Sequence, residues 1–599
     1  MEKENINTLK YISYTHLMSN LIEISLKDCS DHNLLPILIV DNYTSKILSS
    51  ILKMSDLINR GITSIELIEN KKSKNENYGA IYFISPTYKS CNLVIEDFID
   101  ADNPAYNRIY LFFSHKLSEN LLEKITIEGI IKHTIYIKEF NLSFSIFDEN
   151  IFVFDWESGL KIFNCNNEKE LKLLETITKK LFTVCSILNT RPYIQYQKNS
   201  KLCTKLSEML EDSFNKNIVM KDKIKEGIIL LTDRSLDLIS PLLHDCNYLA
   251  LCKDLFDIKN KKIQINQKII ELSDINEFWN SFKYKHITEV FEELKKNFEI
   301  YENNELNKHN KKLNFVEMAN YLEQKENYIV KISKLIEQLY LADKLNEKYK
   351  NNHINELIEL EQDIILDKIN NKEMSAKISD IKQNLNIKKE DYLRLLLIFY
   401  LNNKGKQYKE ILYNNLFKEE NDLINNLNII LNTYNKKSEE DIKKYNQEKV
   451  KPFLSTLIYN ASNYLLDEQQ FPFYNYKKDE IKKYMVENKP LILFNIGGLS
   501  YNEISSIERM QKSNNMSSKF YIGTTCIISA SEYINQLRNI NNNYEKEIKI
   551  DCLEDIEEKD ADSIAINVFS NINNNKINLD EDMPSEKEKL LDDSDIIYI

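Results

Sequence analysis

Residues 228–258, IILLTDRSLDLISPLLHDCNYLALCKDLFDI, hold the chain's densest set of side chains that could do chemistry. The run IILLT leads into Asp233-Arg234, then Asp237, Pro241 and His244. An aspartate at the C-terminal end of a buried parallel strand stands where open α/β sheets place ligand chemistry. A phosphate cradle would also need a glycine-rich turn whose backbone N–H groups wrap the anion. None follows Asp233. Gly497-Gly498 ends another apolar run but lacks the third glycine of a dinucleotide fingerprint, so it reads as a tight strand exit with positive φ. No Ser-His-Asp order, metal-ligand cluster or P-loop accompanies His244 or His286. Both histidines read as satisfied structural groups, and no active site, metal or cofactor is expected.

The elements that must position these residues are legible as apolar runs. Strands are expected over Ile37–Asp41, Thr63–Leu67, Ala80–Ile84, Ile109–Phe113 and Thr134–Ile137, with helices near 43–59, 88–99 and 118–128. Alternation at this spacing predicts a parallel sheet with helices on both faces. A second set of strands is expected over Ile151–Asp155, Ile228–Thr232, Leu491–Gly497 and Phe520–Thr524. Its last two members stand more than 200 residues beyond the others, so a second α/β domain split by a large insertion is expected.

The insertion is marked by what it lacks. From residue 242 to 404, a run of 163 residues, there is neither proline nor glycine. Proline costs about 3 kcal/mol and glycine about 1 kcal/mol inside a helix, so long helices are permitted. Ile329, Ile332, Ile336 and Leu339 repeat on one helical face, and Tyr392–Leu401 is apolar on nearly all sides. An all-helical domain is expected over 260–484.

Nine cysteines, odd in number and with no C-x-x-C pair, argue against a disulfide framework and a zinc site and for a reducing compartment. No window approaches about 18 uninterrupted apolar residues, and the first residues lack a signal peptide's apolar stretch. The net charge of −13 is concentrated at one end: residues 551–599 hold 15 acidic residues and 4 lysines, leaving −2 for residues 1–550. A nearly neutral body gives nucleic-acid binding no electrostatic support. Residues 546–599 read as an acidic disordered tail, in which 586–591, EKEKLL, is either a dileucine-like sorting signal or a chance pairing.

On a helix over 43–59, Ile47, Ile51, Met54 and Ile58 would cluster on one side, with Lys46, Lys53 and Arg60 at heptad spacing near the other. Such a stripe is either a solvated face or a track for an acidic partner helix.

The Asp-Arg…Asp…Pro-Leu…His run at 233–244 resembles the signature of the SM family, the Sec/Munc syntaxin-binding proteins that manage SNARE assembly. LILFNIGGLSYNEI at 491–504 and KFYIGTT at 519–525 are similar to the family's C-terminal motifs. ILIVDNYTSKILSSILKMSDLINRGIT at 37–63, AIYFISPTYKSCNLVIEDF at 80–98, FWNSFKYKHITEV at 278–290, LEQDI at 360–364, DYLRLLLIFYL at 391–401 and FPFY at 471–474 resemble its exocytic, plasma-membrane branch. The resemblance implies α/β plus all-α architecture: a three-domain arch with two parallel-sheet α/β domains and a large helical insertion. Its domains would be 1–145, a split domain of 146–259 with 485–545, and 260–484, with a SNARE-templating hairpin near 314–349.

The family likeness also implies partners, namely a syntaxin-type SNARE, the assembling SNARE bundle and a vesicle SNARE. It carries a syntaxin-facing role onto Asp41, Lys46, Lys53 and Glu66, and a pocket for the extreme N-terminus of syntaxin onto Leu117, Leu122 and Glu139. The pocket's usual phenylalanine is Leu122 here. It carries vesicle-SNARE templating onto Leu339 and a neighbouring loop position where exocytic members have proline and this chain has Glu326. With no helix breaker there, the hairpin is expected to run as continuous helix. Asp233, Arg234, Asp237, Pro241, His244, Gly497 and Gly498 would be structural members of the signature. The implied function is non-enzymatic control of vesicle docking and exocytosis by a cytoplasmic protein held peripherally at membranes through SNAREs. The alternatives are an SM protein of a Golgi or vacuolar step, and an α/β nucleotide-binding enzyme using the strand ends at Asp41 or Asp233.

Overall fold

The computed structural model describes residues 8–70, 77–98, 105–126, 128–259, 261–272, 276–306, 315–366, 387–402, 421–433, 452–478, 489–513 and 519–541, with isolated positions at 368, 373, 376–377, 381 and 481. The expected acidic tail and its dileucine-like run lie outside the described residues. The chain folds as two compact units. Among the described residues, one takes 8–152 and 179–189, and the other takes 153–178 and 190–541.

In the first unit, helices α1 (Leu9–Leu17) and α2 (Glu23–Asp31), joined through one π turn, precede the sheet. Strands β1 (Leu35–Val40), β2 (Ser64–Leu67), β3 (Tyr78–Ile84), β4 (Arg108–Phe113) and β5 (Thr134–Glu139) pair in the order β2-β1-β3-β4-β5, all parallel. The runs LPILIV, YGAIYFI and RIYLFF are apolar at successive positions because β1, β3 and β4 are covered on both faces. One face packs Ile39, Tyr82, Ile84, Leu111 and Phe113 against Val94, Leu121 and Ile125. These last three lie on α5 (Tyr88–Glu96) and α6 (Glu119–Ile125). Each such apolar side chain, fully buried, contributes about 1.5–3 kcal/mol.

The helix expected over 43–59 is two helices. α3 (Asn42–Ile51) ends at Leu52, which is extended at φ −140°, and α4 (Met54–Arg60) starts afresh from Lys53. Asp56 accepts the Lys53 backbone N–H at 3.3 Å, so a local cap competes with helix continuation. The break also overturns the heptad stripe: α4 buries Leu57 and leaves Ile58 exposed. Arg60 pairs with Glu23 at 3.0 Å.

The second unit holds four parallel strands in the order β15-β13-β9-β8, where β8 is Arg191–Tyr196, β9 Lys225–Asp233, β13 Leu491–Ile496 and β15 Phe520–Thr524. The regular strand Ile151–Val153 is shorter than the 151–155 expected, and Phe154 then donates its N–H to the Thr524 carbonyl. β9 and β13 are direct neighbours, with Ile228 opposite Leu491, although the helical insertion separates them in the chain. β8 went unpredicted because RPYIQY carries arginine and proline in a short edge strand. A three-stranded antiparallel sheet over 258–271 also went unpredicted, its lysine-rich strands being only two to four residues long.

That sheet departs from the all-helical expectation over 260–484; the elements described from Glu277 to Ser462 are helices. α14 (Phe315–Asn351) runs unbroken for 37 residues, and α15 (Ile354–Ile365) turns back from it. The following helix, Lys389–Asn402, is buried from Asp391 through Tyr400. The face of α14 singled out by periodicity is not its core face. Leu335, Gln338, Leu341, Ala342 and Leu345 are buried, whereas Ile329 is 56% and Ile336 45% exposed. The pattern reported a real apolar stripe, but the neighbouring helices cover the adjacent one.

Candidate functional site

The signature residues form a buried polar network around the exits of β9 and β13. Asp233 accepts the Ser235 N–H at 2.9 Å and the Ser200 and Ser235 hydroxyls; burial pushes its carboxyl up against these bonds. Arg234 is fully buried and grips Glu503 in a two-pronged pair at 2.8 and 2.7 Å, with the Gly498 carbonyl at 3.2 Å. Burial opposes the guanidinium charge, but Glu503 outweighs it and raises the pKa.

Asp237 caps the next turn, accepting N–H groups from Ile239, Ser240 and Phe453, and Pro241 starts that turn buried. His244 bonds Glu361 through Nδ1 at 2.6 Å and Asp391 through Nε2 at 3.2 Å. Burial and Arg394 oppose its charge, yet the two carboxylates hold the imidazolium up to about 9. Gly497 and Gly498 have φ of +100° and +103°. A Cβ on Gly497 would stand 2.8 Å from the Arg234 Cβ and 2.9 Å from the Phe163 ring. The polar side chains at this strand end are thus taken up in capping local turns and in joining segments distant in sequence. His286 makes a local bond to Thr288 at 2.8 Å.

Glu503, Glu361 and Asp391 were not singled out as signature partners from the sequence. Each lies inside a motif quoted for the resemblance, which was the available signal.

The first unit shows a different arrangement at its candidate positions. Asp41 is buried and caps α3: it accepts Thr44 N–H at 2.8 Å and Oγ1 at 2.9 Å, Ser85 N–H at 2.6 Å and the Ser90 hydroxyl at 2.9 Å. It organises the end of β1 and is not presented to solvent. Lys46, on α3, and Lys53, at the break between helices, are exposed; Glu66 is half-buried on edge strand β2 and accepts the Ser64 hydroxyl at 3.1 Å.

At the opposite edge, Leu117 is buried and its N–H donates to Glu139 Oε1 at 3.2 Å, while Leu122 on α6 is 41% exposed. Tyr136 and Ile137 on β5 are exposed as well. Leu117 and Glu139 are thus brought together beside an uncovered apolar edge. On α14, Leu339 is half-buried next to the exposed stripe; Glu326 falls within the continuous helix, its side chain outside the described residues.

Among the described residues, no group of three or more His, Cys, Asp and Glu side chains could hold a metal ion, and no helix is long and apolar enough to cross a membrane.

A model described as the Sec1 family matches residues 36–536. The chain is 23% identical over 571 residues to protein transport protein sec1 of Dictyostelium discoideum, covering 84% of this chain and 95% of the relative. It is 22% identical over 576 residues to vacuolar protein sorting-associated protein 45 of Saccharomyces cerevisiae, covering 87% and 97% respectively. The Unc18–syntaxin 1 complex from Monosiga brevicollis matches with a TM-score of 0.73 at 20% identity, over 89% of this chain and 99% of that one, which speaks for the fold. No catalytic family is indicated by these matches. With its signature network and its α/β plus all-α architecture, this chain belongs to the Sec1 family.

Proposed function

We propose that this chain is a SNARE-binding regulator of vesicle docking and membrane fusion, acting in exocytosis. The observation that carries the reading is a family match across residues 36–536, accompanied by fold likeness to a protein solved with syntaxin 1. The mechanism is differential binding: stabilising one arrangement of SNARE helices shifts which complex forms. The protein works without catalysis, on the cytoplasmic side of a membrane to which its SNARE partners recruit it. We adopt the family's three-domain division, 1–145, 146–259 with 485–545, and 260–484.

In this reading Lys46, Lys53 and Glu66 contact a syntaxin-type SNARE, and Asp41 positions the start of α3 beneath them. Leu117, Leu122 and Glu139 receive the extreme N-terminus of syntaxin at the uncovered edge of the sheet. The stripe of α14, with Leu339 and Glu326, aligns the vesicle SNARE. The uninterrupted course of α14 supports that assignment, because a template for a helical partner must itself be straight.

A second reading, a Golgi or vacuolar fusion step, is favoured by the match to vacuolar protein sorting-associated protein 45 over 87% of the chain. The test is affinity of the purified full chain for syntaxins of the plasma membrane, Golgi and vacuole, each with and without its N-terminal peptide. A nucleotide-hydrolysis assay runs alongside. Capture of a plasma-membrane syntaxin without turnover is expected. Preference for a Golgi or vacuolar syntaxin selects the second reading, and capture of none overturns both. Loss of binding on removing the peptide tests the Leu122 pocket separately from Lys46 and Lys53.

A further inference from the structure

Between α9 (Lys201–Lys216) and β9 the second unit presents a small apolar knob. Ile218 is 79% exposed, Val219 80% and Ile224 80%, the three most exposed large hydrophobic side chains among the described residues. Loose chain does not account for that exposure, because the turn beneath is anchored. Asn217 caps it through a 3.2 Å bond from Met220 N–H, and Met220 itself is buried. The buried Arg191 donates to the carbonyls of Met220 at 3.2 Å and Lys221 at 2.6 Å, while its other nitrogen holds Glu211 and Asn215. A deeply held arginine thus fixes the backbone in a form that turns one apolar residue in and three out.

Lysines surround the tip. Lys216 and Lys221 are exposed and Lys223 half-buried, with a single carboxylate, Asp222, among them. Lys225 is turned away onto Glu211 at 2.8 Å, and Glu226 is taken by Lys489 at 3.0 Å. A convex aliphatic tip with a basic collar suits a bilayer interface: hydrocarbon accepts projecting side chains without a matching socket, and acidic headgroups meet the lysines. A folded protein partner would need a cavity shaped for three separate side chains.

We propose that the turn 216–224 is a direct membrane-contact site that inserts Ile218, Val219 and Ile224 into the interface of a bilayer carrying acidic phospholipids. Lys216, Lys221 and Lys223 supply the preference for negative charge. This contact would add to SNARE recruitment and does not depend on it.

The experiment uses the full-length protein and protein-free vesicles, so failure of the syntaxin reading leaves the result unaffected. Co-sedimentation is measured with phosphatidylcholine vesicles and with vesicles containing about one third phosphatidylserine. The wild type is expected to bind the acidic vesicles about tenfold better, with the preference shrinking in high salt. The triple variant I218S/V219S/I224S is expected to lose binding to both by about tenfold or more. K216Q/K221Q/K223Q is expected to lose only the preference for acidic vesicles. A V219W variant supplies an independent readout, because the native Trp156 and Trp279 are both buried. Its added fluorescence should shift to the blue and be quenched by brominated acyl chains. No vesicle binding by the wild type, unchanged binding by the serine variant, or a V219W signal indifferent to lipid would each overturn the proposal.

Discussion

The turn after β9 and the outer face of α14 use side chains in opposite ways. Around Arg234 the distinctive residues are buried and paired: a guanidinium on Glu503, an imidazole between two carboxylates, an aspartate capping a turn and binding Phe453. On α14 the exposed apolar positions among the described residues are plain aliphatics, Ile329, Val330 and Ile336, while Leu335, Leu341 and Leu345 on the adjacent stripe are buried. The most recognisable residues therefore hold the unit together, whereas the surface proposed for the vesicle SNARE is chemically ordinary. A motif that identifies a family need not be where the family acts.

Breaking the Arg234–Glu503 pair should give the largest effect. Arg234→Ala or Glu503→Gln leaves a buried charge uncompensated and is expected to cost about 3–5 kcal/mol, read by chemical denaturation or as loss of soluble protein. A stability close to wild type would mean that water reaches the pair. Gly497→Ala should follow, at about 1–3 kcal/mol, since its φ is unfavourable for an L side chain and its Cβ meets Arg234 and Phe163.

His244 gives a pH test. Its folded-state pKa is raised from the ordinary 6.5 to about 9, so its contribution is fully present below pH about 6.5 and fades as pH rises through about 9. The full contribution is on the order of 3 kcal/mol, and His244→Gln should flatten that slope in denaturation midpoints between pH 6 and 10. An unchanged slope would place the alkaline loss elsewhere. The smallest stability effect belongs to α14. The variant I329S/I336S should stay within about 0.5 kcal/mol of wild type in unfolding while weakening vesicle-SNARE capture about tenfold. A large loss of stability instead would show that the stripe is core, and the contrast between the two regions would collapse.

The sequence made the parallel strands legible where burial is met by aliphatic and aromatic residues in succession. LPILIV, YGAIYFI, RIYLFF, IILL and LILF are dense apolar runs because nearly every position beyond the first one or two is buried. It concealed β8, which is buried but carries arginine, proline and glutamine in place of an aliphatic run, and the small antiparallel sheet, whose residues are partly exposed and mixed. The split of α3 from α4 was also hidden, since it turns on one capping bond from Lys53 to Asp56 that periodicity does not register. At the signature, Asp233, Arg234, Asp237 and His244 stood out, but Glu503 lies 269 residues from Arg234 and Glu361 lies 117 from His244. No local pattern announces such pairs. The α14 stripe was seen but not which side of the helix is core, because a helical period shows that a face is apolar without showing what covers it.

The adjacency of β9 and β13 has a consequence for how the polypeptide is born. Between Asp233 and Leu491 lie 257 residues, so β9 leaves the ribosome long before its neighbour exists. At roughly 5–20 residues per second that interval is on the order of 13–50 s. Throughout it, an apolar strand edge waits unpaired, a template for aggregation unless something shields it. Nascent chains stalled before Leu491 should accordingly recruit chaperones, and release should coincide with emergence of the segment that closes the sheet.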